Sequence, residues 1–186
     1  MGTAVLSDDE LYKRYLCGDM ASGDALMLRY SDLLIAYLIS FTGNESDAED
    51  LMLDCFTVIL VDKPKIGEGA FKAYLFKVAR HKACRLYRKK VRLNEFELPE
   101  DVEAKDSIPD KDILQRERDD AVRKCLGRIA PQYREALWLV YFMDLSYEQA
   151  AKVLKCTKKR IDNLLSNGKK ALKAELEKEG ITNTEF

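Results

Sequence analysis

Apolar residues return along this chain every three or four positions, and no stretch alternates with the period of two that marks a strand. Leu11, Tyr15 and Leu16 open one helical stripe. Leu26, Leu28, Tyr30, Leu33, Leu34, Tyr37 and Leu38 form a second and richer one. The sequence GNES (residues 43–46) breaks it. Ser46, followed three positions later by Glu49, predicts a capping box that opens a third helix, DAEDLMLDCFTVIL. The acidic start of that helix complements the helix dipole. The next ten residues, VDKPKIGEGA (61–70), read as a loop built on Pro64, Gly67 and Gly69.

A fourth helix follows, FKAYLFKVARHKACRLYRKKVR (71–92). At 100° per residue, Phe71, Tyr74, Leu75, Val78 and Ala79 share one face, while Lys77, Arg80, Cys84 and Arg88 lie opposite. The stripe loosens after Arg80, where Arg85, Lys89 and Arg92 spread charge nearly all round. Residues 94–112 carry no stripe. Beyond them, DILQRERDDAVRKCLGRI reads as a helix ended by Gly127, and Pro131 suits the first turn of another. Ser146 and Gln149 form a second capping-box pair before SYEQAAKVLK. A turn around Cys156 and Thr157 leads into a last helix from about Lys158 to Glu179. Its inner face carries Ile161, Leu164, Leu165, Gly168 and Leu172, and its outer face Lys159, Arg160, Asn163, Ser166, Asn167 and Lys170. Two helices joined by so short a turn predict a helix-turn-helix. The fold class is all-α: two small helical domains, residues 1–93 and 113–186, joined by a linker over 94–112.

Charge sharpens this picture. The chain has 186 residues and a formal net charge of only −1. Yet residues 71–92 hold nine Lys or Arg, one His and no acid, with four aromatics among them. Residues 94–112 hold eight acids and two lysines, for a net charge of −6. A solvated surface helix would explain a charge run. Acid-free cations interleaved with aromatics fit nucleic acid better, since Lys and Arg neutralise phosphates and aromatic rings stack on unpaired bases. On the last helix, a strip of Asn, Ser and cations suits base edges and phosphates in a major groove.

Other chemistries find less support. Asp47, Glu49, Asp50 and Asp54 lie close together, but no His neighbours them, and a protein-binding face explains them better than a metal site. His81, the sole histidine, forms an i, i+3 pair with Cys84 among cations that would repel a dication. Five scattered cysteines (Cys17, Cys55, Cys84, Cys125 and Cys156) show no CxxC and read as small buried or half-buried thiols. No cofactor or metal is expected. No apolar run approaches bilayer length, and the N-terminus lacks a basic-then-apolar leader, so a cytoplasmic protein without membrane insertion is expected.

Three stretches, in order, resemble the sigma-70 family of bacterial RNA polymerase initiation factors, in its short extracytoplasmic-function form. DAEDLMLDCF is similar to the family's region-two helix that grips the polymerase clamp. FKAYLFKVARHKACRLYRKK is similar to its promoter-melting and −10-recognition helix. LGRIAPQYREALWLVYFMDLSYEQAAKVL, with the helix after it, resembles region four, which reads the −35 element. The resemblance implies core polymerase contacts from Asp47, Glu49, Asp50, Leu51, Asp54 and Phe56. It implies −10 binding and melting by Lys63, Phe71, Tyr74, Lys77, Arg80, His81, Arg85, Arg88 and Lys89, with the loop over 61–70 capturing an extruded base. It implies −35 contacts from Lys158, Lys159, Arg160, Asn163, Ser166, Asn167 and Lys170. The implied partners are core RNA polymerase and promoter DNA, with an anti-sigma protein as a partner the family often has. The acidic linker would thread the polymerase's basic cleft.

The chain departs from the family pattern at several positions. Tyr74 stands where Trp is usual, His81 where Asn is, Leu53 in place of Gln, and Lys155 in place of the Gly of the helix-turn-helix turn. Asp162, Leu164, Asn167 and Gly168 take places often basic or small and polar, so a weak or unusual −35 preference is expected, read by Asn163, Ser166 and Asn167. Rival readings are a stand-alone helix-turn-helix regulator, a Mg²⁺-dependent nuclease using the acidic helix, and a sigma fold that has lost promoter recognition. Binding of core polymerase separates a sigma factor from the stand-alone regulator.

Overall fold

A computed structural model of the chain describes residues 6–92, 122 and 124–181. The linker expected over 94–112 lies outside the described residues, as does most of the helix expected before Gly127. The chain divides into two compact units, Met1–Phe96 and Glu97–Phe186.

The first unit holds α1 (Asp8–Leu16), α2 (Met20–Thr42), α3 (Glu45–Phe56) and α4 (Phe71–Arg92). Helix α1 starts on a capping box in which Ser7 and Glu10 satisfy each other's backbone amides. It lies so close to α2 that a Cβ on Gly23 would stand 2.7 Å from the Tyr15 ring. Helix α2 is the hub, packing on α1, α3 and α4. Its length and composition would suffice to cross a membrane. It instead buries Leu26, Tyr30, Leu34, Tyr37 and Leu38 against its neighbours, as the core helix of a globular unit does.

Two expectations about these stripes change. Leu28 and Leu16 are exposed, 85% and 43%, because α2 and α1 each turn one narrower arc inward. Ser46 is not the cap of α3. Gly43 closes α2 at φ +65°, and Asn44, extended at φ −140°, accepts from the amide of Asp47 at 3.0 Å, so the helix starts earlier.

Helix α3 widens into a π-helical turn, Thr57–Val61, before the loop. Helix α4 buries Phe71, Ala73, Leu75, Phe76, Ala79 and Ala83, while Tyr74 and Val78 are only half-buried. That arc is wider than the expected stripe because α4 meets α1, α2 and α3 at once. Phe76 packs edge-on against Tyr37 at 5.2 Å, and Phe71 sits between Tyr12 and Tyr30 at 5.4 and 6.0 Å. Each such side chain contributes roughly 1.5–3 kcal/mol by leaving water.

In the second unit, residues 124–128 are helical. They are followed by α5 (Pro131–Leu137), a π-helical turn over Trp138–Phe142, α6 (Tyr147–Leu154) and α7 (Lys158–Lys178). Both α5 and α6 pack on α7. Ser146 and Gln149 form the expected capping box, and Thr157 caps α7 by accepting from the Arg160 amide. Gly168 sits where α7 crosses α5: a Cβ there would meet Leu137 at 3.2 Å and Tyr133 at 3.3 Å. Buried and half-buried positions hold four of the five cysteines, but Cys17 is exposed.

Candidate nucleic-acid interface

Helix α4 owes its two characters to packing. With its apolar arc buried, Lys77, His81, Arg85, Arg88 and Lys89 are left exposed, and Arg80 is half-buried. Two other lysines turn aside: Lys82 pairs with Asp54 at 2.9 Å and Lys90 with Asp47, both on α3. The exposed cations therefore carry no acid among them on their own helix. Tyr74, on the same helix, is half-buried. Phe71 is not available there. Its 1% exposure, between two tyrosines, makes it a core residue and corrects its place in the DNA-binding set.

On α3, Glu49, Asp50 and Asp54 are exposed and Asp47 is half-buried. Leu51 and Phe56 face the core at 8% and 2% exposure and are corrected likewise as polymerase contacts. Between the exposed acids lies Leu53, 51% exposed, an apolar spot on a carboxylate face.

The loop joining α3 to α4 is held from α1. The Tyr15 hydroxyl donates to the Leu60 carbonyl at 2.7 Å, and the Tyr12 hydroxyl to that of Pro64 at 2.8 Å. The Gly69 amide donates to an Asp9 carboxylate oxygen at 2.6 Å. Lys63, exposed and left-handed at φ +46°, places its ammonium over the Tyr15 ring, 5.1 Å from the centroid. Burial pushes the Tyr12 phenol up from its ordinary value. These ties span 45 to 60 residues of chain, and no local pattern in the sequence signals them.

On α7 the expected division holds in space. Ile161, Leu164, Leu165, Gly168 and Leu172 are buried, whereas Lys158, Lys159, Arg160, Asn163, Ser166, Asn167 and Lys170 are exposed. At 1.5 Å per residue, the strip from Lys159 to Lys170 runs about 16 Å, long enough to lie along a major groove. Lys169 does not join it, since its ammonium lies 4.8 Å from the Tyr141 ring centroid. Among the described residues, no group of three or more His, Cys, Asp or Glu side chains gathers as a metal site would require.

Two models of one family match the chain, one in each unit. Residues 26–93 match the model of sigma-70 region 2, and residues 119–172 that of sigma-70 region 4. The chain is 25% identical over 162 residues to the ECF RNA polymerase sigma factor SigE of Mycolicibacterium smegmatis, covering 86% of this chain and 63% of that protein. It is 26% identical over 160 residues to the RNA polymerase sigma-H factor of Pseudomonas aeruginosa, covering 80% and 83%. Its fold is similar to that of the sigma factor RpoE solved with the anti-sigma factor NepR from Bartonella quintana. There the TM-score is 0.68 at 24% identity, over 83% of this chain and 96% of that one.

Proposed function

The chain belongs to the sigma-70 family of RNA polymerase initiation factors, in its extracytoplasmic-function form, and from that premise we propose how its parts divide the work. It binds core RNA polymerase and directs initiation at promoter DNA, as a specificity subunit and not as a catalyst. The outer face of α3, with Asp47, Glu49, Asp50, Leu53 and Asp54, meets the polymerase clamp. On α4, Lys77, Arg80, His81, Arg85, Arg88 and Lys89 track the phosphate backbone beside the transcription bubble. Tyr74 stacks on a separated base, a contact worth roughly 1–3 kcal/mol. Lys63 and its loop receive an extruded −10 base, whose unstacking costs a few kcal/mol. On α7, the strip from Lys158 to Lys170 reads −35, with Asn163, Ser166 and Asn167 at the base edges.

The domain division proposed is 1–93 and 113–186, with the acidic stretch 94–112 threading the polymerase's basic cleft between them. The protein works in the cytoplasm. An anti-sigma protein, of the kind bound to the Bartonella neighbour, is a further proposed partner.

One observation carries this reading. The same chain holds both an acid-free basic helix that carries half-buried Tyr74 and a separate helix-turn-helix with an exposed Asn, Ser and cation strip. A stand-alone regulator needs only the second, and the family match over residues 26–93 speaks against it. The test is run-off transcription with purified core polymerase on a pool of the host's upstream fragments, with start sites sequenced. Discrete starts sharing two spaced elements are expected. Failure to bind core polymerase would overturn the proposal.

A further inference from the structure

The region-two match begins at residue 26, so α1 lies outside it, yet α1 touches the entry, middle and exit of the loop between α3 and α4. Tyr15 holds the carbonyl of Leu60, Tyr12 that of Pro64, and Asp9 the amide of Gly69. The loop needs such support. Lys63 and Gly69 both adopt left-handed backbone, φ +46° and +66°, and a lysine persists there only when its surroundings hold it. Helix α1 is in turn docked firmly. Asp8 accepts from Arg29 at 2.5 Å and from the Tyr30 hydroxyl, both on α2, and the Tyr15 ring lies against Gly23.

We infer that α1 is a positioning element for base readout, with Asp9, Tyr12 and Tyr15 fixing the loop's shape before DNA arrives. This rests on the proposed role of the loop in receiving an extruded −10 base. A pocket already shaped binds more tightly, because the ordering cost is met in folding and not in binding, and it discriminates because its fixed walls do not reshape around a wrong base. The Lys63 ammonium over the Tyr15 ring sets the direction in which the loop's one left-handed cation points.

The test compares the wild type with the double variant Tyr12→Phe, Tyr15→Phe, which keeps both rings, and with Asp9→Ala. Two readouts are needed. In the free chain, amide-hydrogen exchange over residues 61–70 should quicken at least tenfold in the double variant, while exchange in the cores of α2 and α4 stays slow and the helical circular-dichroism signal is retained. In holoenzyme with core polymerase, the probe is a set of labelled single-stranded −10 oligonucleotides carrying each base at each position. Discrimination at one position should fall about fivefold for each lost hydrogen bond, with affinity for core polymerase within twofold of wild type. Unchanged exchange overturns the inference. So does faster exchange with base preference intact, which would make the contacts merely structural. A wild-type holoenzyme that discriminates at no position overturns the base-reading role itself, and the exchange readout tells that failure apart from failure of the tether.

Discussion

Replacing Lys155 by glycine should stabilise the second unit. Lys155 ends α6 in left-handed backbone, φ +53° and ψ +47°. The conformation is imposed, since its own amide and that of Cys156 both donate to the Ala151 carbonyl, closing the helix in the manner of a Schellman turn. An L-residue in this region costs roughly 1–2 kcal/mol. Glycine removes that strain but loses about 0.5–1 kcal/mol of extra chain entropy on folding. The difference is a gain of about 0.5–1 kcal/mol. For a unit of this size it corresponds to roughly 2–8 °C in thermal midpoint. The lysine side chain is exposed, so little packing is lost. Scanning calorimetry of Lys155→Gly against Lys155→Ala isolates the backbone, since alanine removes the same side chain but keeps the Cβ. Glycine should exceed alanine by the whole gain. Equal midpoints for the two variants would refute the strain argument.

Other outcomes follow from the same geometry. Gly168→Val should cost roughly 1–3 kcal/mol in urea unfolding, because Leu137 and Tyr133 already stand 3.2–3.3 Å from where a Cβ would be. Burial pushes the Cys55 thiol from 9.0 up to about 12. Its folded form keeps a proton that the unfolded chain sheds, so this contribution is complete below pH 9 and is lost as pH rises toward 12, by about 1.4 kcal/mol per pH unit. Urea melts of wild type and Cys55→Ala should therefore converge above pH 9, and parallel curves would count against the assignment. For the −35 element, Lys159→Ala should weaken binding alike for all sequences and lower the salt slope by about one. Asn163→Ala should relax preference at one base pair, by about 1–3 kcal/mol of discrimination, and an unchanged preference would remove Asn163 from the readers.

Much of the candidate site was legible in the sequence. The strip on α7 needed only the 3.6-residue period, because a helix that buries one face exposes the other, and Ile161 and Leu165 settle which. The cations of α4 were legible for the same reason. What periodicity could not supply was depth. Phe71, Leu51 and Phe56 carry the residue types of a binding face yet lie in the core, since several helices converge on them at once. Ser46 satisfied the pattern of a capping box, but Gly43 and Asn44 had already turned the chain.

By itself, then, the sequence determined the all-α class, the helix-turn-helix with its Ser146 cap, and the two faces that present cations. These depend on local periodicity and on side chains reaching three or four residues along one helix. Only the tertiary structure decided that Lys82 and Lys90 turn toward α3, that Gly168 lies in tight contact with Leu137 and Tyr133 where α7 meets α5, and that α1 grips the loop before α4. Each of these pairs groups far apart in the chain, and their meeting is set by how helices pack, which no local pattern encodes.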